Sequence, residues 1–362
     1  MDLEVDRTAL RRTRLTAGRP LPDEPAEGSV LVRIDSFALT ANNVTYGAVG
    51  DLIGYWRFFP VTDDGWGRIP VWGHGEVVAS ACDGVVAGER LYGYWPMSSH
   101  VVLEPVDVRP DGFTDGIAHR ADLPPVYNHY RRVSGAADAD GEARSALFQP
   151  LFVTAFLIDA WLADEAVFGA TTVVIASASS KTALGLAHLL QRANSAEVVG
   201  LTSARNVEFV TATGAYDRVV SYDDLPAGLG DGPAVLVDMA GDERIRTVVH
   251  DHFGDGLRRS VQVGMTHHDA PAAGNTAEGD RRPLAGPMPE FFFAPDHIRR
   301  RWSEWGPAGY AERLDAARAS FDTGPGSSIT IEYVRGAEAV RAAWVETVDG
   351  RADPSRGIVC SW

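Results

Sequence analysis

The strongest hydrophobic pattern in the chain lies in residues 171–206. Residues 171–178 are apolar and largely β-branched with no helical period, which suits a strand buried on both faces. Ala183, Leu184, Ala187 and Leu190 then recur at helical spacing. A second apolar run, 197–202, completes a βαβ unit. The alternation continues downstream. The pattern predicts a helix over 207–213 ended by Gly214, strands over 217–222 and 234–239, a helix over 242–253 and a strand over 260–265. Strands alternating with helices imply a parallel, doubly wound sheet.

Residues 1–106 read differently. Partial alternation over 28–39, then short runs over 71–81, 89–94 and 97–103, are separated by Gly and Pro, which predicts a small barrel-like β domain. Between them, 42–70 is an aromatic-rich loop holding Tyr46, Tyr55, Trp56, Phe58, Phe59 and Trp66, either a hydrophobic plug or a substrate wall. Residues 123–133 form a second aromatic-polar loop, and 134–146 read as a mobile surface insertion. A buried helix is expected over 151–162. The long Pro/Gly-rich stretch 266–289 reads as a lid or a disordered segment. After it come a short apolar strand (290–294), a helix (302–321), a strand (327–333), a helix (337–345) and a last strand (357–360).

A length of 362 residues favours two domains. The net charge of -16, without basic blocks, argues against nucleic acid or an anionic membrane as partner. Two cysteines, Cys82 and Cys360, make neither a disulfide framework nor a four-cysteine zinc lobe. The first residues lack the apolar core of a secretory signal, and no stretch is read as approaching the ~18 apolar residues of a membrane span. A cytoplasmic protein is expected.

Candidate chemistry concentrates after the first strand of the βαβ unit. Ser179-Ser180-Lys181-Thr182 opens the helix, and Lys181 is the only lysine among 33 basic residues. A cation in the first helical turn opposes the macrodipole unless an anion sits there. Hydroxyls, helix-start N–H groups and one ammonium together suit a phosphate. Alternatively the serines only cap the helix and Lys181 is solvated. The glycines of a dinucleotide turn are replaced by Ala176, Ser179 and Thr182. After the second strand, where an NAD enzyme places an acid, the chain has Thr202, Ser203, Ala204, Arg205 and Asn206. Ser203 and Arg205 suit a ribose 2′-phosphate, which points to NADP(H). His74 reads best as a structural histidine, and His267-His268-Asp269 fixes no metal geometry.

Several segments resemble the medium-chain dehydrogenase/reductase superfamily, and within it the zinc-independent quinone-oxidoreductase-like proteins. They are VLVRIDSFALTANNVTYGAVGD, GHGEVVASACDGVVAGERLYGY, TTVVIASASSKTALGLA, TGAYDRVVSYDDL and VLVDMAG. YWRFFP with WGRIPVWG, LPPVYNHY, SASSKTA, GLTSARN and PEFFFAP resemble one branch of that superfamily, a domain of unknown function.

The resemblance implies an α/β protein. A GroES-like β-barrel catalytic domain (1–149, with 296–362 returning to it) would accompany a Rossmann nucleotide-binding domain (150–295) with a doubly wound parallel sheet. It implies that Thr154, Ser179, Ser180, Lys181, Thr182, Ser203, Arg205, Asn206, Tyr222, Met239, Gly241 and Gly264 line NADP(H). Zinc-binding relatives use a Cys in the first loop and a Gly-His-Glu; here stand Thr40, Asn42 and Asn43, with Gly73-His74-Gly75-Glu76, so no catalytic metal is expected. Hydrogen-bond donors must then polarise a carbonyl: Asn42, Tyr46 and Tyr55 from the first loop, Tyr127 and Asn128 from the second. The expected activity is NADPH-dependent hydride transfer to an enone, quinone or ketone small molecule in the cleft between domains. A redox-neutral enzyme, such as a carbon–carbon lyase, and a non-catalytic NADPH-binding protein are the alternatives. A homodimer joined through 291–293 is also implied.

Overall fold

The short apolar runs near the start of the chain pair into two sheets. In the computed structural model, which describes residues 1–18, 20–22, 24–133, 138–264 and 283–362, β1 (Asp2–Asp6) lies between β2 (Ala9–Thr16) and β4 (Trp66–Gly67). The larger sheet has nine strands among the described residues. β3 (Val30–Leu39) is its hub, pairing antiparallel with β5 (Pro70–Ser80), β7 (His100–Leu103) and β18 (Arg356–Ser361). β7 pairs with Val30–Arg33 and β18 with Phe37–Leu39, and the register of β3 against β5 shifts at Leu31/Val32 and Ile34/Ser36. From β5 the sheet continues through β6 (Arg90–Pro96), β10 (His129–Arg132), β9 (Gly112–Asp115) and β8 (Pro105–Arg109); β17 (Thr330–Arg335) extends the other side. Gly73 is obligatory where β5 crosses β3, because a Cβ there would lie 2.0 Å from the Ser36 carbonyl oxygen. Phe37, Trp95, Phe113, Tyr130 and Trp344 fill the core.

The aromatic stretch expected as a loop is partly helical. Thr40 and Asn43 form a capping box that starts α1 (Ala41–Ala48), followed by a single turn, α2 (Gly50–Ile53). The insertion expected over 134–146 is, from Ala139 onward, the start of α3 (Ala139–Asp164), with Asp140 and Glu142 in its first turn. Acidic residues there complement the positive helix end. By length and composition α3 is apolar enough to cross a membrane, contrary to the expectation that no stretch is. However, 61% of its apolar window is buried in the folded chain, as in a core helix.

The chain forms two compact units, Met1–Pro150 with Ile331–Trp362, and Leu151–Thr330. In the second, β11 (Thr172–Ala176), β12 (Glu197–Thr202), β13 (Arg218–Ser221), β14 (Ala234–Asp238), β15 (Leu257–Gln262) and β16 (Glu290–Phe291) pair in parallel in the order β13-β12-β11-β14-β15-β16. Every residue of β11 and β14 is buried, as strands covered on both faces must be. α4 (Lys181–Ala193), α5 (Val207–Ala212) and α6 (Glu243–Phe253) make the crossovers. α7 (Ala294–Thr323) packs Phe321 and Tyr310 near Phe152 and Phe156 of α3. The return to the first unit therefore starts at Ile331, not at 296. α8 (Ala337–Val348) follows, and its Trp344 donates Nε1–H to the Leu10 carbonyl at 2.8 Å. The two units are a GroES-like β domain and a Rossmann domain.

Candidate functional site

In the parallel sheet the strand order reverses between β11 and β14, and ligands bind open α/β sheets at the carboxyl ends beside such a point. Register aligns those ends: Ala176 pairs with Asp238 and Leu201, and Thr202 with Ser221. Most of the expected cofactor residues follow directly. Ser179, Ser180, Lys181 and Thr182 come after β11; Ser203, Arg205 and Asn206 after β12; Tyr222 after β13; Met239 and Gly241 after β14; Gly264 after β15. Thr154 lies on α3 in the same unit.

The turn after β11 is built without glycine. Ser177 takes φ 58, a left-handed conformation disfavoured for a residue with a Cβ. Tyr222 Oη accepts the Ser177 N–H at 2.9 Å. The Tyr216 hydroxyl donates to the Ala178 carbonyl at 2.8 Å, and the Ala178 N–H reaches the Leu201 carbonyl at 2.9 Å. Asn206 Nδ2 donates to Ser179 Oγ at 3.1 Å. Ser180 is the N-cap of α4, accepting the Ala183 N–H at 3.2 Å, so the capping alternative holds for that serine.

Across the switch point, the Asp238 carboxylate folds the next loop back on itself. It accepts the Ala240 N–H at 3.1 Å and the Gly241 N–H at 2.8 Å, with Gly241 at φ 75. Burial pushes Asp238 above the usual carboxylate range and Tyr222 up to about 12. Tyr222 therefore keeps its proton at neutral pH. Hydroxyls, one ammonium and the exposed Arg205 guanidinium make a donor set that suits phosphate groups.

The β unit gathers a second set. Tyr46, Tyr55 and Tyr127 meet in one aromatic cluster with Tyr94 and Trp72. Ring centroids lie 4.5 Å apart for Tyr46–Tyr55, 5.7 Å for Tyr55–Tyr127 and 4.7 Å for Tyr94–Tyr127. The Tyr55 and Tyr127 hydroxyls are 3.1 Å apart, and Trp72 Nε1–H donates to Tyr46 Oη at 3.3 Å. Burial raises the pKa of all four phenols, so each remains a neutral hydroxyl.

Asn42, one turn before Tyr46 on α1, lines a shallow surface niche with Thr40, Asn43, Trp72 and Leu147. Asn128 is placed elsewhere: it is buried and its Nδ2 donates to the Arg120 carbonyl at 3.4 Å. Trp72 was not among the expected residues, although it stands two positions before His74 and so shares its face of β5. His74 is buried against the Tyr92 ring at 5.2 Å, and desolvation lowers its pKa to about 4. The His267-His268-Asp269 group lies outside the described residues.

The model of the protein family of unknown function DUF2855 matches residues 37–353. The chain belongs to DUF2855. No curated protein matches it. Solved structures similar to this DUF2855 chain share its architecture across nearly the whole length. CurA from Vibrio vulnificus in complex with NADPH is 15% identical, with a TM-score of 0.64, covering 96% of this chain and 94% of that one. The CurF cyclopropanase of the curacin A biosynthetic pathway is 17% identical, with a TM-score of 0.58, covering 99% and 98%. The yhdH oxidoreductase from Salmonella enterica in complex with NADP is 13% identical, with a TM-score of 0.53, covering 100% and 99%. These likenesses show that this chain has the medium-chain dehydrogenase/reductase fold.

Proposed function

We propose that this DUF2855 chain is an NADPH-dependent, zinc-independent oxidoreductase acting on an enone, quinone or ketone small molecule. The observation that carries the reading is the donor set on the carboxyl edge of the parallel sheet. Ser203 and Arg205 stand where a carboxylate would favour NADH, and a guanidinium matches a 2′-phosphate. Ser179, Ser180, Lys181 and Thr182 would hold the pyrophosphate. Two of the similar structures contain NADPH or NADP, which supports the same cofactor here. Bound NADPH supplies the hydride. The Asn42 amide, on the wall of its niche, would donate to the substrate carbonyl oxygen. Tyr46 supports that face as a neutral hydroxyl oriented by Trp72. Second copies of the chain would pair along the β16 edge, where Phe291 is exposed.

Calorimetric titration with NADPH, with NADH as control, tests the cofactor assignment. Tight NADPH and weak NADH binding is expected, followed by NADPH consumption in a screen of enones, quinones and ketones. Absence of binding by either nucleotide would end the oxidoreductase reading.

A further inference from the structure

Two helices wall the niche beside Trp72. Asn42 of α1 lines it together with Ala146, Leu147 and Pro150 of α3, all within the first unit. None of the described residues lining it is charged, which suits a neutral ligand. Most of its polar groups are engaged inside the protein. The Thr40 N–H and hydroxyl both donate to Asn43 Oδ1, at 2.8 and 3.2 Å. Asn43 Nδ2 donates to the Pro70 carbonyl at 2.9 Å, and the Trp72 indole N–H goes to Tyr46. The Asn42 amide brings two hydrogens to donate.

α3 contributes the opposite kind of group. Pro150 lies inside this helix and carries no N–H, so the helical hydrogen bond from residue 150 to the Ala146 carbonyl cannot form. Ala146 and Pro150 stand about one turn apart and both line the niche, which puts the broken turn in its wall. Ala146 is 1% exposed, and a buried carbonyl deprived of its donor favours a ligand that brings one. The niche thus offers a donor from α1 and an acceptor from α3.

We propose that the substrate carries a hydroxyl group beside its reducible carbonyl, as in a hydroxyketone or hydroxy-enone, and that the Ala146 carbonyl accepts this hydroxyl hydrogen while Asn42 serves the carbonyl oxygen. The proposal rests on the oxidoreductase reading above and narrows its substrate class. Pro150 is a positioning residue, acting only through the carbonyl that it leaves open.

The test compares α-hydroxyketones and α-hydroxy-enones with their O-methyl ethers, hydroxyacetone and methoxyacetone being the smallest pair. NADPH consumption gives kcat/KM for each member. Wild type should prefer the hydroxylated member about tenfold, the worth of one hydrogen bond. Pro150→Ala restores the N–H that closes on Ala146, and alanine favours the helix, so the variant is expected to fold. Its preference should fall to about one. A preference that survives in Pro150→Ala would reflect the bulk of the methyl group and would overturn the proposal. Equal kcat/KM for both members in wild type would overturn it too, while leaving the oxidoreductase reading intact.

Asn42→Ala should lower both members together, because it serves the oxygen they share. A loss confined to the hydroxylated member would give the hydroxyl to Asn42 and refute the role of α3. If wild type consumes NADPH with neither member, calorimetric binding of the same pairs in the presence of NADPH decides. A preference of about tenfold that Pro150→Ala abolishes would uphold the niche assignment and remove only the oxidoreductase reading. Equal or undetectable binding would remove both.

Discussion

The two candidate sets of side chains sit in opposite chemical situations. In the β unit the phenols face one another: Tyr55 against Tyr127 at 3.1 Å, Tyr46 taking the Trp72 N–H at 3.3 Å. All three are at most 8% exposed. On the carboxyl edge of the parallel sheet, Ser179, Lys181, Thr182, Ser203, Arg205 and Tyr222 are half-buried or exposed. Parallel topology delivers the second set to one line whatever the loops do. The first set depends on loop packing, which directs hydroxyls inward as readily as toward a substrate. The difference teaches that polar residues in an aromatic loop are weak evidence for chemistry until their partners are known.

The largest expected effect breaks the β unit alone. Arg120 and Asp115, each 2% exposed, pair at 2.8 Å, and Arg120 also donates to the Phe58 carbonyl at 3.0 Å. Arg120→Met strands a buried carboxylate and should destabilise the fold by about 3–5 kcal/mol, read from urea unfolding at pH 7. A cost below about 1 kcal/mol would mean water reaches the pair.

His74 comes next. Its folded pKa, about 4, lies below the ordinary 6.5, so the unfolded chain binds the extra proton between those values. Stability is full above pH 6.5 and falls as the pH drops toward 4, by about 3 kcal/mol from this residue. His74→Gln should flatten that limb of an unfolding midpoint-against-pH curve. An unchanged slope would place His74 in water.

On the other unit, Arg205→Ala should cost NADPH about 1.5–3 kcal/mol of binding and leave NADH unchanged, whereas Lys181→Ala should weaken both, each measured by titration. Equal losses in Arg205→Ala would dismiss the 2′-phosphate assignment. The smallest effect sharpens the comparison from the β side. Tyr55→Phe should cost about 0.5–1.5 kcal/mol of stability with little change in kcat, because its hydroxyl is used on Tyr127. A kcat loss above about tenfold would put Tyr55 on the substrate instead.

The βαβ unit was legible because residues 171–178 form a continuous apolar run without helical period, and Ala183, Leu184, Ala187 and Leu190 take up a 3.6-residue period directly after it. The same clarity located Ser203 and Arg205. The start of α3 was not legible. Small and acidic residues over 139–146 resemble a loop, and their helix is set by burial of Ala143, Ala146 and Leu147 against the fold. α1 was hidden for a related reason: Thr40 and Asn43 are a capping box, but the residues they introduce have no clear apolar stripe. Trp72 escaped notice because a strand tryptophan reads as core, and only its Nε1–H contact with Tyr46 marks it. The role of Tyr222 at Ser177 is a contact between residues 45 apart, which no local pattern encodes.

The strand that completes the β sheet beside β3 is β18, and the tryptophan that fastens Leu10 is Trp344. Both follow the whole of Leu151–Thr330 along the chain. During synthesis the ribosome therefore releases every residue of the second unit before the first unit can close. The early strands must wait with the β3 edge uncovered, a period in which a chaperone or a neighbouring nascent chain could compete for that edge.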